Sequence, residues 1–254
     1  MNVNRIRDGI KISSVGNHIL CVEQCSSTND LAWKESEEGA PHGTVIFAEG
    51  QSSGRGRRGR SWVSLPGSSL LCSVLLRPRI ALQRLPLVTA LGALAVTDLA
   101  QRFGIEARVR FPNDVYVGRN KLAGILAESR FSSSESGAIV VGIGVNVTGF
   151  PSDLPSTSLT EECGEVVDRE EAARHLIESI DQWVSHLDGP VEPFQKAWQS
   201  RSDLIGNRVV IRQEGEVFPG TVLDVHCLEG VRLQLEEGGE KLFRGEFIEK
   251  LDLL

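Results

Sequence analysis

The sequence predicts an α+β protein: a mixed body of strands and helices with a small β-barrel appended at its C-terminal end. Three observations carry that prediction. Two segments, residues 87–103 and the stretch opening at Asp168, show the apolar spacing of helices. Runs rich in valine, isoleucine and leucine are interspersed with them, as strands require. From Arg208 onward only short alternating strands remain, with turns at Glu214-Gly215, Glu229-Gly230 and Gly238-Gly239. The composition shifts near Gly206, so the expected domains are 1–205 and 206–254.

In chain order, residues 19–22 read as a short strand, and Ser26-Ser27-Thr28-Asn29-Asp30 supplies N-cap residues for a helix that Gly39 can end. Residues 44–48 and 69–76 are β-rich, separated by a stretch of glycine and arginine. Pro86 suits the first turn of the next helix and Gly104 suits the position just past its end. Three β-rich pieces follow at 107–111, 122–128 and 138–147, with Ser132 to Gly137 as a surface turn between the last two. Asp168 and Glu171 form a capping box before a helix whose apolar positions Ala172, Leu176, Ile177, Ile180, Trp183, Val184 and Leu187 keep a 3–4 spacing.

The 254 residues suffice for a sizeable core, and 41% hydrophobic with 24% charged residues is the balance of a globular chain. A net charge of −7 argues against bulk electrostatic coating of nucleic acid. The start, 1–14, is charged and lacks the apolar stretch of a secretory signal. The longest apolar run, 85–97, is shorter than the roughly 20 residues a bilayer span needs. Five cysteines without a CxxC pair suggest reduced thiols, so a cytoplasmic protein bound neither to membrane nor to nucleic acid is expected. The five histidines form no HxxxH or HExxH pattern, and Ser61 and Ser64 lie in no GxSxG elbow.

Three constellations could carry chemistry. Between Glu49 and Asp98 there is no acidic residue but there are seven arginines, four of them in Gly54-Arg55-Gly56-Arg57-Arg58-Gly59-Arg60. The glycines oppose a helix and let backbone amides approach a ligand, while guanidinium forks suit phosphate oxygens. Taken alone the loop reads as an anion-binding flap, a solvated basic loop or a nucleic-acid arm. The second is Arg110-Phe111-Pro112-Asn113-Asp114, with Asn113 and Asp114 projecting at a turn, followed by Lys121 at the head of an apolar strand. The chain has 21 arginines and 6 lysines, and Lys121 is the sole lysine between Lys34 and Lys196, which suggests that a compact ammonium is wanted there. The third is Gly142-Ile143-Gly144-Val145-Asn146, where alternate glycines leave one face bare for a flat ligand or for tight strand packing.

Together these residues resemble the biotin protein ligases. The resemblance rests on Ser27-Thr28-Asn29, Gln51 with Gly54 to Arg60, Phe111-Pro112-Asn113-Asp114, Lys121 to Leu126, and Gly142 to Asn146, in the family's order. It runs from about Cys21 to Val147 and, more weakly, to the C-terminus. It implies a class II synthetase-like mixed sheet flanked by helices, with a C-terminal SH3-like barrel. The family often has Lys-Trp where this chain has Arg110-Phe111, and some members carry an N-terminal winged helix. Only 18 residues precede Ile19, so no operator binding is expected.

The resemblance further implies a two-step ligase that joins biotin and ATP into biotinyl-5′-AMP with Mg²⁺, then transfers biotin to a lysine of a biotin carboxyl carrier protein. Lys121, Arg57 and Arg55 would be catalytic. Ser27, Thr28, Asn29 and Gln51 would contact biotin, as would Gly54, Arg55, Gly56, Arg57 and Lys121. Gly124, Gly142 and Gly144 would leave biotin room against the sheet. ATP would meet Arg57, Arg58, Arg60, Arg110, Asn113, Asp114 and Asn146, with Asp114 toward the metal. Both monomers and homodimers fit this pattern. A lipoate or octanoate ligase and a non-catalytic nucleic-acid binder are the competing readings.

Overall fold

A computed structural model describes residues 1–132, 135–151 and 155–254. The first sheet takes its strands in the order β1-β2-β3-β7-β6-β5-β4: β1 (Ile19–Cys25), β2 (Thr44–Gln51), β3 (Ser69–Leu76), β4 (Arg108–Arg110), β5 (Asp114–Val117), β6 (Asn120–Ser132) and β7 (Glu135–Asn146). β1 and β2 are parallel and every other pairing is antiparallel, so the sheet is mixed. The helices are α1 (Val3–Arg7), α2 (Thr28–Glu37), α3 (Pro86–Arg102), α4 (Leu159–Cys163), α5 (Arg169–Val184) and α6 (Glu192–Arg201).

Local signals set the strong helices. The Ser27 side chain accepts from the Asn29 N–H at the start of α2, and Asp168 accepts from the Glu171 N–H at the start of α5. α3 begins at Pro86, and Gly104 beyond its end has φ +72°. α3 is the most apolar helix, and its buried residues from Leu87 to Ala100 make it part of the core.

Period-two alternation assigns the two sheet faces. Val45, Phe47, Val74, Leu76, Val141 and Ile143 point to the larger core, with α3 backed by α5. Ile46, Leu75 and Val140 point the other way, against Ala32 and Trp33 of α2. The α2 face is covered only in part. Past α2, the row Leu71–Gly144–Gly124–Asp114 runs across four strands of that face. Two glycines in the middle of the row leave a shelf.

The second sheet is antiparallel, in the order β11-β10-β9-β8-β12, from β8 (Arg208–Gln213), β9 (Glu216–His226), β10 (Gly230–Leu235), β11 (Glu240–Phe243) and β12 (Lys250–Leu253). α6 ties the two sheets together. Trp198 packs edge-on to Phe111 with centroids 6.1 Å apart, and Gln195 exchanges hydrogen bonds with Val225 and Cys227 of the second sheet.

Several local expectations need correction. Of Asn113-Asp114, only Asn113 stands in the turn after β4: Asp114 opens β5, which the sequence reading omitted, and pairs with both Arg110 and Gly124. Helices α1, α4 and α6 were also not anticipated. The first two span five residues each, and the buried contribution of α6 is confined to Phe194 and Trp198. Of the Ser132–Gly137 turn, Ser132 pairs with Glu135, while 133–134 lie outside the described residues.

Candidate active site

The shelf forms the floor of a cavity of about 430 Å³. At one end stand Ser27, Thr28, Asn29 and Gln51. The Thr28 N–H and hydroxyl both donate to Gln51 Oε1, at 2.7 and 3.2 Å. Behind them, buried Ser73 lies 2.7 Å from Thr28 Oγ1 and 2.6 Å from Asn29 Oδ1. This end is polar but uncharged, suited to a neutral hydrogen-bonding group.

The other end is charged. Lys121 Nζ lies 2.7 Å from Asp114 Oδ1, both side chains roughly a quarter exposed. They meet because of a break in register: Val115 faces Ala123 but Tyr116 faces Lys121, so Leu122 is the extra residue of a β-bulge. Leu122 and Ala123 both go into the core, and Lys121 turns to the side of Gly124. Tyr116 lines the same end. Its phenol is pushed above its ordinary value by burial and then by the Asp114 charge.

Between the ends lies Trp62. A Cβ on Gly144 would sit 2.7 Å from Trp62 Cζ2, and one on Gly124 would sit 3.1 Å from Cζ3. The indole therefore lies against the glycine shelf, with Nε1 buried and without a partner among the described residues. The indole takes the space that side chains at Gly144 and Gly124 would fill, so these glycines make room for Trp62, and Trp62 is the apolar surface between the two ends.

The arginine loop is a tight hairpin. Trp62 N–H donates to Gly54 O, Gly56 N–H donates to Arg60 O, and Arg58 and Gly59 both take positive φ at its tip. A Cβ on Gly54 would run into the Trp62 carbonyl, so that glycine closes the hairpin. Arg55 reaches back to Asp30 at 2.7 Å and to Glu128 at 3.3 Å. The other three arginines grip the segment before β12: Arg57 donates to Gly245 O at 2.6 Å, Arg58 to Glu246 O at 2.9 Å and Arg60 to Glu249 O at 3.2 Å. Arg57 also donates to Asn113 Oδ1 at 3.3 Å. Burial, then the neighbouring Arg58 charge, pulls the Arg57 guanidinium below its ordinary value.

The structure thus brings Ser27, Thr28, Asn29, Gln51, Arg55, Gly56, Arg57, Arg60, Asn113, Asp114, Lys121, Gly124, Gly142 and Gly144 to one cavity. Four expected residues lie elsewhere. Arg58 faces a second hollow, of about 910 Å³, between the loop, α3 and the second sheet. Arg110 is bound to Asp203 at 2.7 Å and stacks on Tyr116 at 3.9 Å, a layer behind the wall. Asn146 is buried and donates to Thr157 O at 3.0 Å, holding backbone together. Gly54 closes the hairpin. Gly142 lines the cavity for a different reason from the one expected: a Cβ there would press into Asn29, with Cγ and Nδ2 each at 3.1 Å. Its bare face makes room for a side chain, not for a ligand.

The sequence reading missed Trp62, Ser73, Tyr116 and, from the second sheet, Lys250 and Asp252, all on or directly behind the wall. Trp62 and Tyr116 were visible as aromatics beside the motifs, and Tyr116 is the chain's sole tyrosine. Nothing local marks Ser73 or the β12 pair.

Among the described residues there is no group of three histidine, cysteine or carboxylate side chains able to cage a metal. Asp114, the expected metal residue, is already paired with Lys121. A protein-built magnesium site does not fit these residues.

A mixed sheet with a polar pocket at one end of a glycine shelf, a lysine-carboxylate pair at the other and an arginine flap above defines a ligase class. Residues 21–146 match the biotin/lipoate A/B protein ligase family, and the chain belongs to that family. It is 30% identical to the bifunctional ligase/repressor BirA of Bacillus subtilis, over 97% of this chain and 78% of that one. It is 32% identical to the biotin–[acetyl-CoA-carboxylase] ligase of Paracoccus denitrificans, over 86% of this chain and 91% of that one. Among solved structures, the biotin protein ligase of Aquifex aeolicus in complex with biotin and ATP superposes with a TM-score of 0.77 at 27% identity. That match covers 94% of this chain and all of the other.

Proposed function

We propose that this chain is a biotin protein ligase that activates biotin with ATP and passes it to a lysine of a biotin carboxyl carrier protein. The observation that carries the reading is the single cavity with two chemically opposite ends joined by an apolar wall at Trp62. The Thr28–Gln51 end offers donors and acceptors to a neutral ureido ring. The apolar wall at Trp62 lies beside the bicycle, and the Lys121 end receives the carboxylate.

In the first step a biotin carboxylate oxygen bonds to the α-phosphorus of ATP as the bond to pyrophosphate breaks. Two anions must meet, and Lys121 supplies a fixed positive charge between them. Asp114 holds that ammonium in place. Arg57 brings a second cation to the rim, while Arg55 is paired with Asp30 and Glu128. Magnesium, carried on the nucleotide phosphates, would neutralise charge on the leaving pyrophosphate. In the second step the carrier's ε-amine attacks the mixed anhydride carbonyl, the bond to AMP breaks, and the amine proton leaves to solvent. The hairpin at 54–62 covers the anhydride and keeps water from it until the carrier arrives. A cytoplasmic setting, with ATP and reduced thiols, belongs to the same proposal.

The test is incubation with ATP, Mg²⁺ and biotin, with mass detection of the adenylate, and with lipoate and octanoate as competitors. Biotinyl-5′-AMP is expected. An adenylate formed on lipoate or octanoate in preference to biotin, or no adenylate at all, refutes the proposal.

A further inference from the structure

We propose that Glu128 is a positioning residue that clamps the arginine flap through Arg55; this rests on the ligase reading above. Glu128 lies on β6 opposite Val140, on the face that α2 covers. Its carboxylate is outside the cavity wall, yet three donors meet on it, two from α2 and one from the flap. Asn29 Nδ2 donates to Oε2 at 3.1 Å, Trp33 Nε1 donates to Oε2 at 3.2 Å, and Arg55 Nη2 donates to Oε1 at 3.3 Å. The other guanidinium nitrogen, Nη1, lies 2.7 Å from Asp30, which itself accepts from the Ser26 hydroxyl. Arg55 is therefore held in a fork between two carboxylates, both fixed to the start of α2.

The same carboxylate ends a line of close polar contacts that begins at the polar end of the cavity. It runs from Gln51 to Thr28, then Ser73, Asn29 and Glu128, with links of 3.2, 2.7, 2.6 and 3.1 Å. Among the described residues Arg55 is the flap's ion-paired tie to α2 and β6, whereas Arg57, Arg58 and Arg60 donate to carbonyls of the segment before β12. A flap held on both sides stays over the cavity, and one released at Arg55 swings about its second-sheet side. Charge is the essential property of Glu128. A glutamine keeps an acceptor for Trp33 but loses the anion that holds the guanidinium.

The experiment uses the full chain with ATP, Mg²⁺ and biotin and no carrier. It compares bound adenylate formed in the first turnover with adenylate released to solution, in Glu128→Gln and in Asp30→Asn. Loss of one charge-assisted bond is expected to raise release, relative to first-turnover formation, about tenfold in Glu128→Gln. Asp30→Asn shifts the ratio the same way and carries the test if the first variant does not fold. The KM for biotin rises while the melting temperature stays near that of the parent. A release ratio equal to the parent's in a folded variant, or formation and release falling together, overturns the clamp. Failure of the parent itself to form adenylate refutes the ligase reading instead.

Discussion

Gly142→Ala tests whether the bare strand face at Gly142 serves Asn29. The new Cβ presses on the Asn29 amide, which bonds to Ser73 at 2.6 Å, to Leu126 O at 3.4 Å and to Glu128 at 3.1 Å. Displacing it forfeits one neutral bond worth about 1 kcal/mol and one charge-assisted bond worth about 2 kcal/mol. Overpacking adds about 1 kcal/mol, and alanine's lower chain entropy returns a little less than that. The net expectation is a loss of about 3 kcal/mol, read by urea unfolding monitored through tryptophan fluorescence. Asn29→Ala removes the atoms that Gly142→Ala would strike. In that background the second substitution should cost under about 1 kcal/mol, leaving a coupling of about 2 kcal/mol in the double-mutant cycle. Equal costs in both backgrounds, or no cost in either, would refute the reasoning. Biotin affinity is expected to fall with the amide's displacement.

Lys121→Ala should lower adenylate formation by a factor of about 100 to 1,000 with the fold intact; near-normal ATP–pyrophosphate exchange in that variant counts against its role. Arg57→Gly removes the donors to Gly245 O and Asn113, so the hairpin loosens on its second-sheet side and biotinyl-AMP should escape and label unrelated proteins. Retention of the intermediate at the parent's level would contradict that. The buried Asp181 carboxyl would be raised by burial, but N–H groups of Ser13, Ser14 and Val15, with the Ser14 hydroxyl, outweigh that and hold it below its ordinary value. A depressed folded value stabilises the protein at every pH above the unfolded carboxyl value near 3.9, and this is lost as pH falls through the folded value. Asp181→Asn should cost about 2 kcal/mol at pH 7 and flatten the acid limb of stability against pH; an unchanged acid limb would exclude Asp181 as its source.

The sequence by itself determined what is local. Ser27 and Asp168 as caps, Pro86 and Gly104 as helix brackets and the alternation along β2, β3 and β7 are each decided by neighbours within a few residues. The five ordered motifs also marked most of the cavity, though not Trp62, Tyr116 or the β12 pair, because the chemistry of a guanidinium, an ammonium or a bare glycine is legible wherever it sits. The tertiary structure alone decided which groups meet. A single extra residue at Leu122 turns Lys121 toward Asp114, and no spacing in the chain announces a bulge. Gly142 answers to Asn29, more than a hundred positions earlier, and Arg57, Arg58 and Arg60 answer to carbonyls near the C-terminus. Register and docking depend on partners far along the chain, so the same local pattern is compatible with several pairings until the sheets close around it.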